Sequence, residues 1–172
     1  MKTYTFKVWL ILACFAVLIC NVSCATDDDS TENNEIEAPD NEDTDNEGAL
    51  SITQEILKLV NAHRESIGKQ TLEFNDLATQ LAKEHTEFMI NAKEISHDYF
   101  SERADRLFDE EKATNVGENV AVGQRTAKDV MEAWLNSIGH RENIEGNFTH
   151  IGISAIKNDA GRYYYTQLFL KK

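Results

Sequence analysis

Three short sequence blocks, SHDYF, GENVA and WLNSIGHR, each contain one side chain that can bind a metal or transfer a proton. These side chains are His97, Glu118 and His140. Imidazole changes its protonation state near neutral pH, and carboxylate accepts protons or ligates cations. Glycine, asparagine or aromatic residues accompany each of them, as is typical where a polar side chain is held at the end of a helix or strand. We therefore expect the two imidazoles and the carboxylate to meet in one cleft.

Metal binding is the first chemistry that these residues suggest. Two neutral imidazoles, from His97 and His140, suit Zn²⁺, but a tight zinc site needs a third or fourth protein ligand. Glu118 either supplies that ligand, accepts a hydrogen bond that fixes an imidazole tautomer, or serves as a structural residue that holds its loop. Two imidazoles completed by water predict an open and weak zinc site.

Proton transfer is the second chemistry. As a catalytic set, His97, Glu118 and His140 would activate water, with or without a metal. Residues 25–172 contain no cysteine, no Gly-x-Ser-x-Gly motif and no glycine-rich phosphate loop. Ser137 lies near His140 in the sequence, which leaves a serine–histidine nucleophile pair as a minor alternative.

Apolar residues at helical spacing predict four helices that position these blocks. The first predicted helix runs from about Ile52 to Ile67 and stops at Gly68, and the second runs from about Asp76 to Ile90 with Asn75 or Asp76 as its cap. A third, shorter helix contains Arg103 and Leu107. A fourth begins at Thr126, where the sequence matches a capping box. His63 and His85 fall on apolar helical faces, where core histidines with satisfied hydrogen bonds are expected.

The C-terminal part of the chain changes to the period of a strand. Residues 148–156 alternate between apolar and polar, turn residues follow at 158–161, and the segment YYYTQLFL is rich in residues that favour strands. This pattern predicts a hairpin, which a short strand near residues 119–122 would join. Helices packed on a small antiparallel sheet give an α+β fold, layered as an α-β-α sandwich.

The first residues of the chain predict export. An apolar run at 8–20 follows two lysines, is too short for a comfortable membrane span, and precedes Ser23 and Cys24. A small residue before a cysteine resembles a bacterial lipoprotein signal, so we interpret 1–23 as the signal and Cys24 as the lipidated N-terminus. An ordinary secretory signal cut near Ala25 is the alternative. All three cysteines of the chain lie within its first 24 residues, so the folded domain forms no internal disulfide.

Residues 24–47 are predicted to form an acidic, disordered tether ahead of a folded domain at 48–172. The stretch 25–47 contains eleven acidic residues and no basic residue. It buries too little apolar surface to offset its ordering entropy, and it accounts for most of the net charge of −13. The domain itself is then close to neutral, without the basic excess that nucleic-acid binding requires. We expect a monomer that contacts the membrane through the lipid on Cys24.

Seven short motifs, in order, resemble those of one family. They are Val60-Asn61-x-x-Arg64, Leu81-Ala82-x-x-His85-Thr86-x-x-Met89, Ser96-His97-x-x-Phe100-x-x-Arg103, Gly117-Glu118-Asn119-Val120-Ala121, Trp134-x-Asn136-Ser137-x-Gly139-His140-Arg141-x-Asn143-Ile144, Phe148-Thr149-x-Ile151-Gly152-Ile153 and Tyr165-Thr166-Gln167-x-Phe169. The chain resembles the CAP superfamily, also called SCP-like, which groups cysteine-rich secretory proteins, antigen 5 and plant pathogenesis-related proteins. The bacterial branch is the most similar.

The resemblance implies an α-β-α sandwich and a cleft with two histidines and, in many members, two glutamates. By resemblance, His97 and His140 are the histidines and Glu118 is the first glutamate, whereas Ser137 stands where the second glutamate would fall. The family is known more for secreted interaction roles than for one reaction. We therefore expect a binding or interaction module with a lipid, sterol, envelope or host-protein ligand and no established catalytic activity, anchored at the outer membrane or cell surface. A hydrolase that uses His97, Glu118 and His140 is the alternative for function, and a secreted protein is the alternative for location.

Overall fold

The computed structural model of the chain describes residues 50–172. In chain order, the helices are α1 (Ile52–Ser66), α2 (Asp76–Ala92), α3 (Phe100–Glu110), α4 (Ala127–Leu135) and α5 (Ile138–Ile144), and the strands are β1 (Glu73–Phe74), β2 (Asn115–Val122), β3 (His150–Lys157) and β4 (Tyr163–Lys171). The predicted signal at 1–23, Cys24 and the tether at 24–47 lie outside the described residues. The start of the domain at residue 48 also stays a prediction.

Side-chain caps fix the start of three helices. Ser51 and Gln54 form a reciprocal capping box at α1, and the Asn75 side chain accepts from the backbone N–H of Ala78 at α2. Thr126 accepts from the Asp129 N–H at the start of α4. Each side chain satisfies an N–H that the first turn of a helix leaves without an internal partner. The predicted helix starts are thus confirmed at these three positions.

The sheet has the order β1-β3-β4-β2, with β4 antiparallel to both of its long neighbours. The hairpin of β3 and β4 is therefore present, and β2 extends further than the short strand predicted near 119–122. β1 adds a two-residue parallel pairing, Glu73 opposite His150 and Phe74 opposite Ile151, to the antiparallel sheet. Two residues are too few to produce a recognisable alternation, which is why the pattern did not reveal β1.

Helices cover both faces of this sheet, as the α-β-α prediction requires. Along β4, Tyr165 and Phe169 enter a core with residues of α1 and α4, whereas Leu168 and Leu170 enter a second core with residues of α2 and α3. Alternate residues of a strand point to opposite faces, so one buried strand serves two cores. Gly152 permits the close approach of α2, since an added Cβ would clash with the backbone carbonyl of Ala78. The fold class is confirmed.

The short helix α5 was not predicted. It has seven residues and no hydrogen bond from the side chain of its N-terminal flanking residue, Ser137. Its sequence therefore lacks both the long apolar stripe and the cap that identify a helix. Within residues 50–172, no helix has the length and apolar character needed to cross a membrane.

Candidate functional site

The candidate site lies beside β2, a strand at the edge of the sheet. Glu118 and Asn119 are consecutive residues of this strand, so their side chains point to opposite faces. Glu118 meets the loop before α3 and α3 itself, whereas Asn119 meets α5 and the side chain of Gln167 on β4. The edge strand thus joins two sets of contacts, one that includes His97 and one that includes His140.

Glu118 is fully engaged by protein groups. Its side chain is 1% exposed, and Arg103 donates from Nε to Oε2 at 2.8 Å and from Nη2 to Oε1 at 2.9 Å. Nδ1 of His97 lies 2.8 Å from the same Oε1. A bidentate guanidinium is the strongest common partner for a buried carboxylate. Both oxygens of Glu118 are therefore committed to orienting neighbouring side chains.

Arg103 also ties α3 to the loop that carries His97. Its Nη1 donates to the Asp98 carbonyl at 2.8 Å, and the arginine is buried. Tyr99, between that loop and α3, adopts a left-handed conformation with a φ of 59°. A tyrosine takes this conformation only when its surroundings hold it there. Arg103 is consequently the residue that fixes both the carboxylate and the backbone next to His97.

His97 presents one free ring nitrogen towards solvent. The side chain is 53% exposed, and Nδ1 faces the Glu118 carboxylate, which accepts hydrogen bonds. Nδ1 therefore carries the proton, and Nε2 keeps its lone pair in the neutral ring. Among residues 50–172, the hydrogen bonds place no partner on His97 Nε2. This nitrogen is the atom of the site best placed to bind a ligand or accept a proton.

His140, on α5, is held on the other side of the strand. Its backbone carbonyl accepts from Asn119 Nδ2 at 3.0 Å. Burial, together with the positive charge that His97 can carry, lowers the pKa of the His140 imidazole. The lowered pKa favours the neutral form of the His140 ring at physiological pH. A neutral ring is the form that ligates metals.

A network of amides holds α5 against the strand. Asn143 Nδ2 donates to the Glu118 carbonyl at 3.0 Å and to Asn119 Oδ1 at 2.8 Å, and Asn119 Nδ2 donates to Gln167 Oε1 at 3.2 Å. Gly117 makes room for this network, because an added Cβ would lie 2.8 Å from Asn143 Oδ1. Gly117, Asn119 and Asn143 therefore help to hold α5, which carries His140, against the strand.

His85, which the sequence pattern predicted to be a core histidine, supports the loop that carries His97. Its Nε2 lies 2.8 Å from the Ser96 carbonyl and 4.0 Å from Glu118 Oε1, beneath the loop of His97. Burial lowers its pKa, while the Ser96 hydrogen bond and the charge of Glu118 act in the opposite direction. Nδ1 is buried and has no hydrogen-bond partner among residues 50–172, so only one of the two ring nitrogens of His85 forms a hydrogen bond. The other helical histidine, His63, instead pairs with Glu145 at 2.9 Å.

The donors of the cleft limit which metal chemistry it supports. No group of three or more histidine, cysteine, aspartate or glutamate side chains within 50–172 is arranged to hold a metal. His97 and His140 offer two imidazole nitrogens, and the Glu118 oxygens are already bound to Arg103 and His97. Ser137, which stands where the family resemblance implies a second glutamate, supplies no carboxylate. A metal bound here could take at most these two imidazole nitrogens from the protein, with water in its remaining positions.

The chain belongs to the CAP (cysteine-rich secretory protein) family, whose sequence model matches residues 57–169. It is 32% identical over 125 residues to the uncharacterized protein YkwD of Bacillus subtilis, an alignment that covers 69% of this chain and 47% of YkwD. It is 32% identical over 125 residues to the uncharacterized membrane protein YlbC of the same organism, covering 69% of this chain and 34% of YlbC. The chain thus spans less than half the length of these relatives.

Solved structures share the fold. An outer surface protein from Borrelia burgdorferi superposes with a TM-score of 0.63 at 21% identity, covering 72% of this chain and 96% of that one. An extracellular protein with an SCP domain from Bacillus anthracis str. Ames superposes with a TM-score of 0.60 at 29% identity, covering 70% of this chain and 40% of that one. These comparisons confirm the CAP α-β-α sandwich that the motifs predicted.

Proposed function

We propose that the chain is an exported CAP-domain binding module whose cleft captures its ligand through His97 Nε2 and His140. The observation that supports this most strongly is the engagement of both Glu118 oxygens by Arg103 and His97. A carboxylate held in this way orients an imidazole and has little freedom to exchange protons with a substrate. What the cleft offers to a ligand is therefore one exposed, oriented imidazole nitrogen beside a second, half-buried imidazole.

A weak divalent-metal site is part of this proposal. His97 and His140 would hold Zn²⁺, with water in the remaining positions, and Glu118 would accept the N–H of the ligating His97 ring. A bound zinc ion would supply Lewis acidity, or an electrophilic point for an anionic ligand. With no carboxylate among the ligands, the affinity should be micromolar or weaker, which corresponds to roughly 8 kcal/mol or less of binding free energy.

Export and anchoring through Cys24 belong to the same proposal. Similar folds occur in an outer surface protein and in an extracellular protein, and YlbC carries the description of a membrane protein. These names describe the relatives. For this chain, the support comes from the apolar run before Ser23-Cys24 and the acidic tether that follows. The ligand classes that suit this location are envelope components, lipids or sterols, and host proteins.

One observation favours a hydrolase as a second candidate. Glu118 binds Nδ1 of His97 and leaves Nε2 free, which is the arrangement that orients the general base in carboxylate–histidine catalytic sites. In that role, His97 Nε2 would take a proton from water, and Glu118 would stabilise the imidazolium that forms. Ester and peptide hydrolysis that disappears in His97→Ala and falls strongly in Glu118→Gln would favour this candidate over the binding module.

Calorimetric titration of the protein with Zn²⁺ tests the shared cleft. We expect one site in the wild type, lost in both His97→Ala and His140→Ala, with unchanged circular dichroism. His150→Ala is a matched control, because this histidine, the first residue of β3, pairs with the neighbouring Thr149 rather than with a residue of the cleft. Wild-type affinity in either cleft variant would contradict a site shared by the two imidazoles.

A further inference from the structure

A second concave site lies at the end of the sheet, away from the histidine cleft. A cavity of about 450 Å³ opens where β2 ends and where the turn joins β3 to β4. Its wall includes Arg125, Lys157 and Arg162, together with Gly123 and Tyr163. Gly123 lies five positions after Glu118 at the end of β2, which corresponds to about 16 Å of extended chain. A ligand in this cavity would therefore not touch the histidine cleft.

The wall of this cavity is positive in a chain that is strongly negative overall. Three of the lining side chains are cations and none is acidic, whereas the whole chain has a net charge of −13. None of the three cations lies within 4.0 Å of a carboxylate among residues 50–172, since the ion pairs there all involve other residues. Asp159 belongs to the same turn, but it is exposed and does not line the cavity. The charge of the three cations is therefore available to a ligand.

Local structure holds two of these cations in place. The Arg162 guanidinium packs against Gly123, where an added Cβ would lie 3.2 Å from Nε, and Gly123 has a φ of 96° that favours glycine. Lys157 Nζ lies 4.9 Å above the centre of the Tyr163 ring. Side chains that are already ordered lose less conformational entropy when they bind.

The turn that carries Arg162 is itself well defined. Asn158 Oδ1 accepts from the backbone N–H of Ala160 at 3.1 Å and of Arg162 at 2.9 Å, and the Asn158 carbonyl accepts from the Gly161 N–H at 2.8 Å. Gly161 supplies the positive φ of 73° that this turn needs. An asparagine that bonds the backbone of its own turn is a stable arrangement. The cavity wall is thus fixed by the backbone as well as by the side-chain packing.

We infer that this cavity binds a phosphate-class oxyanion. Planar guanidinium groups form paired hydrogen bonds to phosphate oxygens, and a lysine adds a compact point charge. The volume leaves room for the group that carries the phosphate. Nothing in this inference depends on the function proposed for the histidine cleft.

The place where the chain enters the domain suggests two sources of such an anion. Thr53, in the first turn of α1, lines one groove together with Ile156, and Ile156 precedes Lys157. The cavity thus lies at the end of the domain where α1 begins. If the protein is anchored as proposed, phosphate headgroups of envelope lipids are one source, and free phosphate compounds are the other.

Titration calorimetry with inorganic phosphate, on the full chain in a non-ionic detergent at low salt, tests the inference. The double variant R125Q/R162Q should bind phosphate about ten-fold more weakly than the wild type. Lys58→Gln is the matched control, because this exposed lysine lies on α1 outside the cavity, and it should stay within about two-fold. Added salt should weaken the binding.

A second arm uses glycerophosphoglycerol, the deacylated headgroup of phosphatidylglycerol. Tighter binding than phosphate identifies a lipid headgroup as the source, and weaker binding identifies free phosphate compounds. Undetectable phosphate binding by the wild type, equal affinity in the wild type and R125Q/R162Q, or equal loss in Lys58→Gln would overturn the inference.

Discussion

Arg103 and Glu118 form a buried bidentate ion pair between helix α3 and the edge strand β2, with donor–acceptor distances of 2.8 and 2.9 Å. The pair does more than join two elements. Glu118 holds Nδ1 of His97, and Arg103 holds the Asp98 carbonyl beside it, so one ion pair determines the orientation of the exposed imidazole. The position of His97 therefore depends on two residues that no ligand in the cleft needs to touch.

Removing Arg103 should destabilise the protein strongly. Arg103→Leu leaves the Glu118 carboxylate buried without its cation, and breaking one side of a buried ion pair costs about 3–5 kcal/mol. Urea unfolding should therefore show a fall of this size in the free energy of unfolding. The double variant R103L/E118L removes both charges and should recover part of the loss. A single variant within about 1 kcal/mol of the wild type would show that the ion pair has no such role.

Stability should fall as the pH decreases below about 6.5, the ordinary pKa of histidine. Burial lowers the pKa of His85 and of His140 in the folded protein, so the unfolded chain takes up these protons first. The stabilisation is complete above the unfolded pKa and is lost as the pH falls through the folded pKa. Thermal unfolding at pH 7.5 and 5.5 should therefore differ less in H85Q/H140Q than in the wild type. An equal difference in both proteins would contradict this origin.

The acidic tether should add nothing to the stability of the domain. The cores and caps described above are built from side chains within residues 50–172, and none of these side chains is a cysteine. Melting temperatures of 25–172 and 48–172 should agree within about two degrees, which is less than the shift that 1 kcal/mol produces in a domain of this size. EDTA should shift either temperature only slightly. Loss of structure in EDTA would instead identify a structural metal.

Cys24 should be the mature N-terminus and should carry lipid. It follows a small residue and an apolar run, and no other cysteine would remain after cleavage at that position. More than one acyl chain is needed for firm anchoring, since a single chain binds membranes only marginally. Mass spectrometry of the N-terminal peptide from the native membrane fraction should detect an acylated Cys24. An unmodified N-terminus at Ala25 would exclude the anchor and leave a secreted protein.

The helices and strands that could be predicted from the sequence are those whose hydrophobic pattern and caps lie within one short segment of the chain. The apolar stripe and caps of α1 and α2 and the alternation of β3 are complete within about fifteen residues. By contrast, α5 has seven residues and β1 has two, which is too little sequence for a period to be recognised.

The candidate site likewise contains residues that the sequence pattern identified and contacts that it did not. His97, Glu118 and His140 stood out because each lies in a distinctive block of sequence. The pairing of Glu118 with Arg103 did not, because an ion pair between a strand and a helix fifteen positions apart leaves no local pattern. The amide network of Asn119, Asn143 and Gln167 likewise forms only when three separate elements pack together.

The central claim is that His97 and His140 share one cleft in which Glu118 fixes the His97 tautomer. Nitrogen-15 NMR of the imidazole rings, recorded during titration with Zn²⁺, measures both parts directly. We predict a protonated Nδ1 and an unprotonated Nε2 for His97 in the free protein, mixed tautomers in Glu118→Gln, and zinc shifts that follow one binding curve for His97 and His140. A protonated Nε2 on His97, or a zinc response confined to one of the two rings, would contradict the account.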